Sequence, residues 1–537
     1  MKLFPLTLTV LTDTHYFSKE NGTSGKAYDF ANLKSQKLLA ESAEVLEQAF
    51  SQIKADKASD IVLISGDVTN NGELNSHAEF ISMLRDLKEN GKRVYIITAT
   101  HDFRNSGFTD GYNGDSVYNV PTASRDMLFE MYREFGPDEA LEVHLPSMSY
   151  VVQLAEGYRL FALNDDTNLN GKSGFSDECF EWISTQAKKA REASQFIIAM
   201  THHPLIAPSP IYELIGKGDM LGDYKERIRQ LADLGIQFIF TGHTHIHNIS
   251  AYQSEQGNVL YDICGASPIG YPGAYREVTF NPDDGIVNVG TTYVNTPEFF
   301  RNQNIELRDK LEEQLIGVIR GMIKTAGKDI DKLANMATAI SIKPKVIYKF
   351  GWIIKPVFKF LNSLKIGTVA SWTRRETGLK KADYAHVKDV KVVDFISELV
   401  LNLFGGESKY PPETPQYKVT IGFLNIIDSI LKVLHIDLNK ILKVAPNAAS
   451  LVEPLLYNAK IDSYFADLEI YPFVSEGERS QIKLEFESEK STVKKSRKGL
   501  PIIILTALIL VAFLPVWAIV VLFGYFSNKI KYKEQLK

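Results

Sequence analysis

The feature of this 537-residue sequence that most constrains its fold is a series of apolar segments that each end in polar residues. Five segments have the length and β-branched character of buried strands, and three longer ones between them have helical apolar spacing. The strand segments are 6–11, 61–65, 93–98, 195–200 and 236–240, and the helical ones are 34–55, 76–89 and 222–234. Strands that alternate with helices predict a layered α/β core, and the turn-rich stretch 249–294 predicts further sheet.

Histidines and aspartates are concentrated directly after these strand segments. In α/β sheets, ligands bind beyond the carboxyl ends of the strands, so residues at those ends are expected to converge. In chain order the candidates are Asp13, His15, Asp67, Thr100, His101, Asp102, His202, His243 and His245.

The residue types at these strand ends are those of a site for divalent metal ions. Carboxylates and neutral imidazoles suit zinc, manganese and iron. The Asp-x-His and His-x-His spacings of 13–15 and 243–245 place both side chains on one face of an extended segment. A central Asp67 could bridge two ions, an arrangement that serves phosphoester hydrolysis. Each motif alone is also compatible with a solvated turn, a helix cap or a core contact, and the ordered set of five favours the metal site.

The ordered motifs resemble those of the calcineurin-like metallophosphoesterases. The motifs here are "DTH" at 13–15, "GDVTNNGE" at 66–73, "THD" at 100–102, "THHP" at 201–204 and "GHTH" at 242–245. The resemblance covers about residues 1–297 and is nearest to the cyclic-nucleotide-phosphodiesterase-like bacterial branch. It implies a β-sandwich flanked by helices, which agrees with the α/β pattern.

The resemblance also implies a role for each residue at a centre with two divalent ions, which are manganese, iron or zinc. Asp13, His15 and His245 would hold one ion, His202 and His243 the other, and Asp67 would bridge them. His101 would assist at the transition state, and Asp102 would orient His101. The family usually has asparagine where this chain has Thr100, so a shorter and weaker neutral ligand is expected at the second metal.

Composition limits the classes of partner. The net charge of −5 argues against nucleic acid as a partner, and two cysteines provide neither a disulfide framework nor a cysteine-based zinc site. The low cysteine count is consistent with a reducing compartment. After the predicted phosphoesterase domain (1–297), residues 298–490 predict a mainly helical accessory domain.

The run 499–527 contains no charged residue and predicts one transmembrane helix, followed by a short basic tail at 528–537. A buried core helix is the alternative reading. No export signal was recognised before Asp13, so the expected protein is a single-pass membrane protein with a cytosolic catalytic domain.

The predicted function is therefore hydrolysis of a phosphoester by metal-activated water at a dinuclear site. The ester is either a diester or a monoester, and esters at the membrane are included. The alternative is a non-catalytic membrane-anchored scaffold or lipid-binding module with a residual metal site. Thr100 and the long helical region motivate that alternative.

Overall fold

A computed structural model describes residues 3–32, 35–207, 212, 218–326, 329–331, 334, 344, 348, 362–407, 409–433, 446–457 and 468–470. The strands are β1 (Leu6–Leu11), β2 (Ile61–Ser65), β3 (Arg93–Ile97), β4 (Phe108–Asn113), β5 (Ser116–Pro121), β6 (Glu142–His144), β7 (Ser149–Ala155), β8 (Tyr158–Ala162), β9 (Phe196–Met200), β10 (Phe238–Thr241), β11 (Asn248–Gln253), β12 (Val259–Cys264), β13 (Ala274–Asn281), β14 (Ile286–Tyr293) and β15 (Leu468–Ile470). The helices are α1 (Lys26–Asn32), α2 (Ser42–Ala55), α3 (Leu74–Glu89), α4 (Arg125–Tyr132), α5 (Asp177–Glu192), α6 (Tyr224–Asp233), α7 (Glu298–Arg301), α8 (Leu307–Ala326), α9 (Ile366–Thr377), α10 (Val392–Gly405), α11 (Pro415–Val433) and α12 (Ala448–Leu456).

Two mixed sheets form the centre of the protein. The first has the order β15-β14-β13-β1-β2-β3, and the second has the order β11-β12-β10-β9-β8-β7-β6. Strands β1, β2 and β3 are mutually parallel, as are β8, β9, β10 and β12. The parallel strands therefore end at common edges, where the candidate residues follow them.

The inner faces of the two sheets share one hydrophobic core, and helices cover both outer faces. In β2, Leu63 faces the other sheet, whereas its neighbour Val62 faces the outer layer that contains α2 and α3. This alternation follows from the two-residue period of a strand, and full burial of both faces explains the continuous run "IVLIS". Helices α5 and α6 cover the second sheet. The predicted sandwich flanked by helices is confirmed.

The accessory region packs directly against the sandwich. Leu311 of α8 and Leu399 of α10 belong to the same hydrophobic cluster as Leu46 of α2. The backbone N–H of His247, two residues after the last candidate ligand, donates to the carbonyl of Phe404 in α10 at 2.9 Å. Strand β15 extends the first sheet by pairing with β14. The region after residue 297 is thus joined to the sandwich by shared core and backbone hydrogen bonds.

Two predictions from the sequence need comment here. The helix predicted from residue 34 is wrong over 35–41, because the N–H of Leu38 bonds to the carbonyl of Ile269 at 2.8 Å and α2 begins only at Ser42. The predicted transmembrane run 499–527 lies outside the described residues. Within the part of the chain that the structure describes, no helix combines the length and the apolar character needed to cross a membrane.

Candidate metal centre

The candidate residues occupy the loops that follow five parallel strands. Backbone hydrogen bonds continue past the strand ends and hold these loops together. The N–H of Asp13 donates to the carbonyl of Gly66 at 3.0 Å, and that of His15 donates to the carbonyl of Asp67 at 3.0 Å. In the second sheet, the N–H of Gly242 donates to the carbonyl of His202 at 2.9 Å. The pairing that forms the sheets therefore also positions the polar side chains.

Five candidate residues have a left-handed backbone conformation. Their φ angles are 52° for Asp13, 41° for His15, 51° for Asp67, 64° for His243 and 56° for His245. Each such residue costs on the order of 1–3 kcal/mol, and the surrounding structure must compensate for it. Strain concentrated on five polar residues at one edge indicates a site whose geometry is maintained for binding or catalysis.

The first group of converging ligand atoms comes from Asp13, His15 and His245. Asp13 Oδ1 lies 3.2 Å from His245 Nε2 and 3.6 Å from His15 Nε2. The two Nε2 atoms are 3.1 Å apart. All three residues are buried, so these atoms surround a small space that a single cation can occupy.

The second group comes from Asp67, His202 and His243. His202 Nε2 lies 3.1 Å from Asp67 Oδ2. The Nδ1–H of His202 donates to the carbonyl of Ser65 at 2.8 Å, which leaves Nε2 as the ring atom that faces the carboxylate. Asp67 Oδ2 also lies 3.9 Å from His15 Nε2. Asp67 therefore lies between the two groups, and it also forms a third group of ligand atoms with His15 and His101. Its bridging role stays a prediction.

The glycine before Asp67 is required by this packing. Gly66 has a φ of 96°, and a Cβ there would lie 2.8 Å from His202 Nδ1. A side chain at Gly66 would therefore displace His202, and this explains the "GD" pair of the motif.

The electrostatics of the two groups call for positive charge. Burial alone would raise the pKa of the Asp13 and Asp67 carboxyls and lower that of His202. The facing histidines nevertheless hold both carboxyl pKa values well below their usual range. The Asp67 and Asp13 carboxylates overcome the effect of burial and raise the pKa of His202 to about 10.

Unsatisfied buried atoms show that the residues fit a metal ion. Asp13 Oδ1 and His202 Nε2 are buried and form no hydrogen bond with any described residue. A buried polar atom without a partner is costly, and coordination by a cation removes that cost. Carboxylate and imidazole donors in two groups of three suit divalent zinc, manganese or iron.

Gln36, which the sequence did not single out, supports the ligand role of His245. Its amide nitrogen lies 3.0 Å from His245 Nδ1, and its Oε1 is buried without a hydrogen-bond partner among the described residues. Turning the amide over lets Oε1 accept a hydrogen bond from Nδ1–H. The Nε2 lone pair of His245 is then available to a cation.

His101 lies beside the centre, and its ring is held by a backbone carbonyl. Its Nδ1–H donates to the carbonyl of Asn70 at 2.6 Å, and its backbone N–H donates to Asp67 Oδ1 at 2.9 Å. The ring is edge-on to that of His15, with centroids 5.0 Å apart. Because Nδ1 is engaged, Nε2 is the ring atom available to a substrate or a cation.

The predicted orientation of His101 by Asp102 requires correction. Asp102 Oδ1 accepts from the backbone N–H of Thr69 and Oδ2 from that of Ala99, both at 2.8 Å. Among the described residues, no hydrogen bond joins Asp102 to the His101 ring. Asp102 instead fastens the loop after β2 to the loop after β3, because its buried carboxylate is close enough to satisfy N–H groups of both.

Thr100 is half-buried in the loop after β3, and its carbonyl accepts from Arg104 at 3.1 Å. Its role as a metal ligand stays a prediction.

A buried pair missed by the sequence reasoning lies beside the second group. Asp165 Oδ2 accepts from the N–H of His203 at 2.8 Å, and Oδ1 lies 3.1 Å from His203 Nδ1. The His203 ring packs against that of His243, with centroids 4.1 Å apart. Asp165 therefore positions the loop that carries His202. The signal was present in "LFALNDD", another apolar strand that ends in carboxylates.

His77 connects α3 to the same loops and gives a testable dependence of stability on pH. One ring nitrogen lies 2.8 Å from the carbonyl of Asp102 and the other 2.7 Å from the Tyr132 hydroxyl. Burial lowers the pKa of His77 from 6.5 to about 4. The unfolded chain therefore binds more protons between these values, and stability falls as pH drops from 6.5 to 4.

Between pH 7.5 and 4.5, the free energy of unfolding should fall by about 2–3 kcal/mol less in His77→Gln than in wild type. The reason is that the variant has no imidazole to protonate on unfolding. Urea unfolding at both pH values measures this change. The exposed His386 provides the control, and His386→Gln should keep the wild-type dependence. An equal dependence in wild type and His77→Gln would contradict the prediction.

Comparison with known proteins identifies a similar family. Residues 6–247 match the family model described as calcineurin-like phosphoesterase. No curated protein matches the chain. Similar solved structures include a dimetal phosphatase from Danio rerio, with 12% identity over 53% of this chain and 95% of that one and a TM-score of 0.38. A purple acid phosphatase from yellow lupin (Lupinus luteus) seeds has 14% identity over 55% and 52%, with a TM-score of 0.31.

The matched residues include all the candidate ligands from Asp13 to His245. Through residues 6–247 the chain is therefore similar to the calcineurin-like phosphoesterases, and this match indicates a hydrolase of phosphoester bonds.

Proposed function

We propose that the protein hydrolyses a phosphoester at a centre for two divalent metal ions. Asp13, His15 and His245 would hold one ion and His202 and His243 the other, with Asp67 shared between them. Bound ions would supply Lewis-acid stabilisation of the reacting phosphoryl group and an activated water. The observation that supports this proposal most strongly is the position of Asp67 between two groups of converging ligand atoms, each with a buried atom that has no hydrogen-bond partner among the described residues.

The residues around the ions would orient the substrate. His101 Nε2 points away from the Asn70 carbonyl that holds Nδ1, and it is available to an oxygen of the ester. Asp102 and Asp165 would keep the loops in place through backbone N–H groups. Such fixed polar groups stabilise a transition state without reorganising during the reaction.

Hydrolysis of bis-p-nitrophenyl phosphate by the purified full-length chain in Mn²⁺ tests the proposal. We expect release of p-nitrophenol that requires the metal. The metal itself is proposed to be manganese, iron or zinc, and elemental analysis of the purified protein identifies it. Two ions per chain support the enzyme, whereas a chain without metal and without activity toward any phosphoester would support the scaffold alternative.

Thr100 gives a prediction for the second ion. Thr100→Asn introduces an amide oxygen, which is a longer neutral ligand than a hydroxyl. We expect the weaker of two Mn²⁺ affinities to rise by about tenfold, or about 1.4 kcal/mol. Titration calorimetry measures this affinity. Thr185→Asn, at an exposed position on α5, is the control and should leave both affinities unchanged. An unchanged weaker affinity in Thr100→Asn would show that position 100 is not a ligand.

We propose further that the charge-free run 499–527 anchors the chain in a membrane. Support comes from its length and from the lysines on both sides of it. The full chain should remain in the membrane fraction after alkaline carbonate extraction, and a chain ending at residue 498 should not. Protease added outside intact cells should leave residues 1–297 uncut if the catalytic domain is cytosolic. Release of the full chain by carbonate would exclude the anchor.

The substrate within the phosphoesters is also a proposal. The resemblance to the cyclic-nucleotide-phosphodiesterase-like branch makes cyclic nucleotides candidate substrates, and an anchored enzyme favours an ester at the membrane surface. A panel of cyclic nucleotides, nucleotide monoesters and phospholipids separates these classes, since each has a distinct product.

A further inference from the structure

Lys37 lies beside the metal centre, in the segment 35–41 that precedes α2. Residue 37 forms an isolated bridge with Gly270, which holds this segment against the sandwich. Two consecutive side chains of the segment reach the centre. Gln36 contacts His245 at 3.0 Å, and Lys37 Nζ donates to Asn70 Oδ1 at 3.4 Å. Lys37 is only 9% exposed, which is unusual for a lysine and indicates a specific role.

Lys37 is linked through Asn70 to His101, the residue proposed to contact the substrate. Asn70 joins the two residues, because its side chain accepts from Lys37 while its backbone carbonyl accepts from His101. The ammonium is therefore close to the ring that would contact the ester.

Arg104, another cation in these loops, is engaged differently. Its guanidinium donates to the carbonyls of Thr100 and Phe103 and to Asn71 Oδ1. These bonds fasten the loop that carries His101. Arg104 therefore acts on the loop itself, whereas the Lys37 ammonium lies against Asn70, whose carbonyl holds the His101 ring.

The charge balance of the centre favours a highly charged anion. Two carboxylates, Asp13 and Asp67, stand among imidazoles in the groups of ligand atoms. Two divalent ions would leave the centre positive, and Lys37 adds to that charge. A phosphomonoester is a dianion above pH about 6, whereas a diester has a single negative charge. A cation beside the phosphoryl group stabilises the second negative charge of a monoester.

We propose that Lys37 is a substrate-binding residue that makes the centre prefer phosphomonoester dianions to phosphodiesters. This inference rests on the proposed function, and it names the substrate class of the same site. In a monoester, the ammonium contacts a charged phosphoryl oxygen. In a diester, the corresponding oxygen is bonded to the second ester group and is not charged.

The test compares Lys37→Gln with wild type at pH 8 in Mn²⁺, where monoesters are dianions. Glutamine retains a donor toward Asn70 and removes the charge. We expect the ratio of kcat/KM for p-nitrophenyl phosphate to that for bis-p-nitrophenyl phosphate to fall about 10- to 100-fold, as expected for a lost charged hydrogen bond. Lys37→Arg should restore most of the ratio. Calorimetric affinity for inorganic phosphate should fall about tenfold or more, with the Mn²⁺ content unchanged.

A second variant and a control separate charge from structure. Asn70→Asp places a carboxylate against the ammonium and should lower the same ratio, which provides a test even if Lys37→Gln fails to fold. Lys92 is a buried lysine at the start of β3, at the opposite end of the sheet. Lys92→Gln should leave the ratio unchanged. If wild type hydrolyses the esters and both Lys37→Gln and Asn70→Asp keep the wild-type ratio, the inference about Lys37 is overturned and the proposed function stands. If wild type hydrolyses neither ester, the proposed function is overturned.

Discussion

Asp67→Asn is expected to reduce kcat/KM for bis-p-nitrophenyl phosphate by about 1,000-fold or more. Asparagine preserves the shape of the side chain and can still accept from the His101 N–H, which contacts Oδ1 at 2.9 Å. It removes the negative charge at Oδ2, which lies between His202 and His15. Loss of metal-based charge stabilisation is worth several kcal/mol, and 4 kcal/mol corresponds to about a 1,000-fold change in rate.

Metal content separates this explanation from a general loss of structure. Asp67→Asn should bind fewer Mn²⁺ ions per chain by elemental analysis and keep the circular dichroism of wild type. Asp115→Asn removes an exposed carboxylate in the β4–β5 turn, and it should retain full activity and metal. Activity within tenfold of wild type together with a full complement of metal would show that Asp67 does not bridge two ions.

Removal of the metal should destabilise the protein substantially. The Asp13 and Asp67 carboxylates are buried and interact with the facing histidines. Five residues of the centre also have strained φ angles. An ion that binds only the folded chain stabilises it by about 3–4 kcal/mol at concentrations 100- to 1,000-fold above its dissociation constant. Addition of Mn²⁺ to chelator-treated protein should therefore raise the thermal midpoint, and the rise should grow with Mn²⁺ concentration.

The Asp67→Asn variant provides the matched comparison for this measurement. Its thermal midpoint should respond less to Mn²⁺ than that of wild type, because one shared ligand is missing. Equal midpoints for chelated and Mn²⁺-saturated wild type would exclude a metal bound at these residues.

Loop residues were harder to predict than strands because their partners are distant in sequence. Residues 35–41 continue the apolar spacing of α2, with Leu38 and Leu39 both buried, so a local reading predicts helix. The backbone instead bonds to residues about 230 positions away. Gln36, Lys37 and Asp165 were missed for a related reason, because their partners lie 209, 33 and 38 positions away and only folding brings them close.

The sequence by itself determined the sandwich and the set of candidate metal ligands. Strands such as Leu6–Leu11 and Ile61–Ser65 are strong local signals because both faces are buried, and the residues after them share one edge in any parallel arrangement. Only the tertiary structure decided which groups support the ligands. In the folded chain, Asp102 accepts hydrogen bonds from backbone N–H groups and the His101 ring donates to the carbonyl of Asn70. Lys37 lies beside the centre, where it donates to the Asn70 side chain. The physical reason is that strand formation follows a local periodic pattern, whereas hydrogen bonds between loops depend on distances that no local pattern encodes.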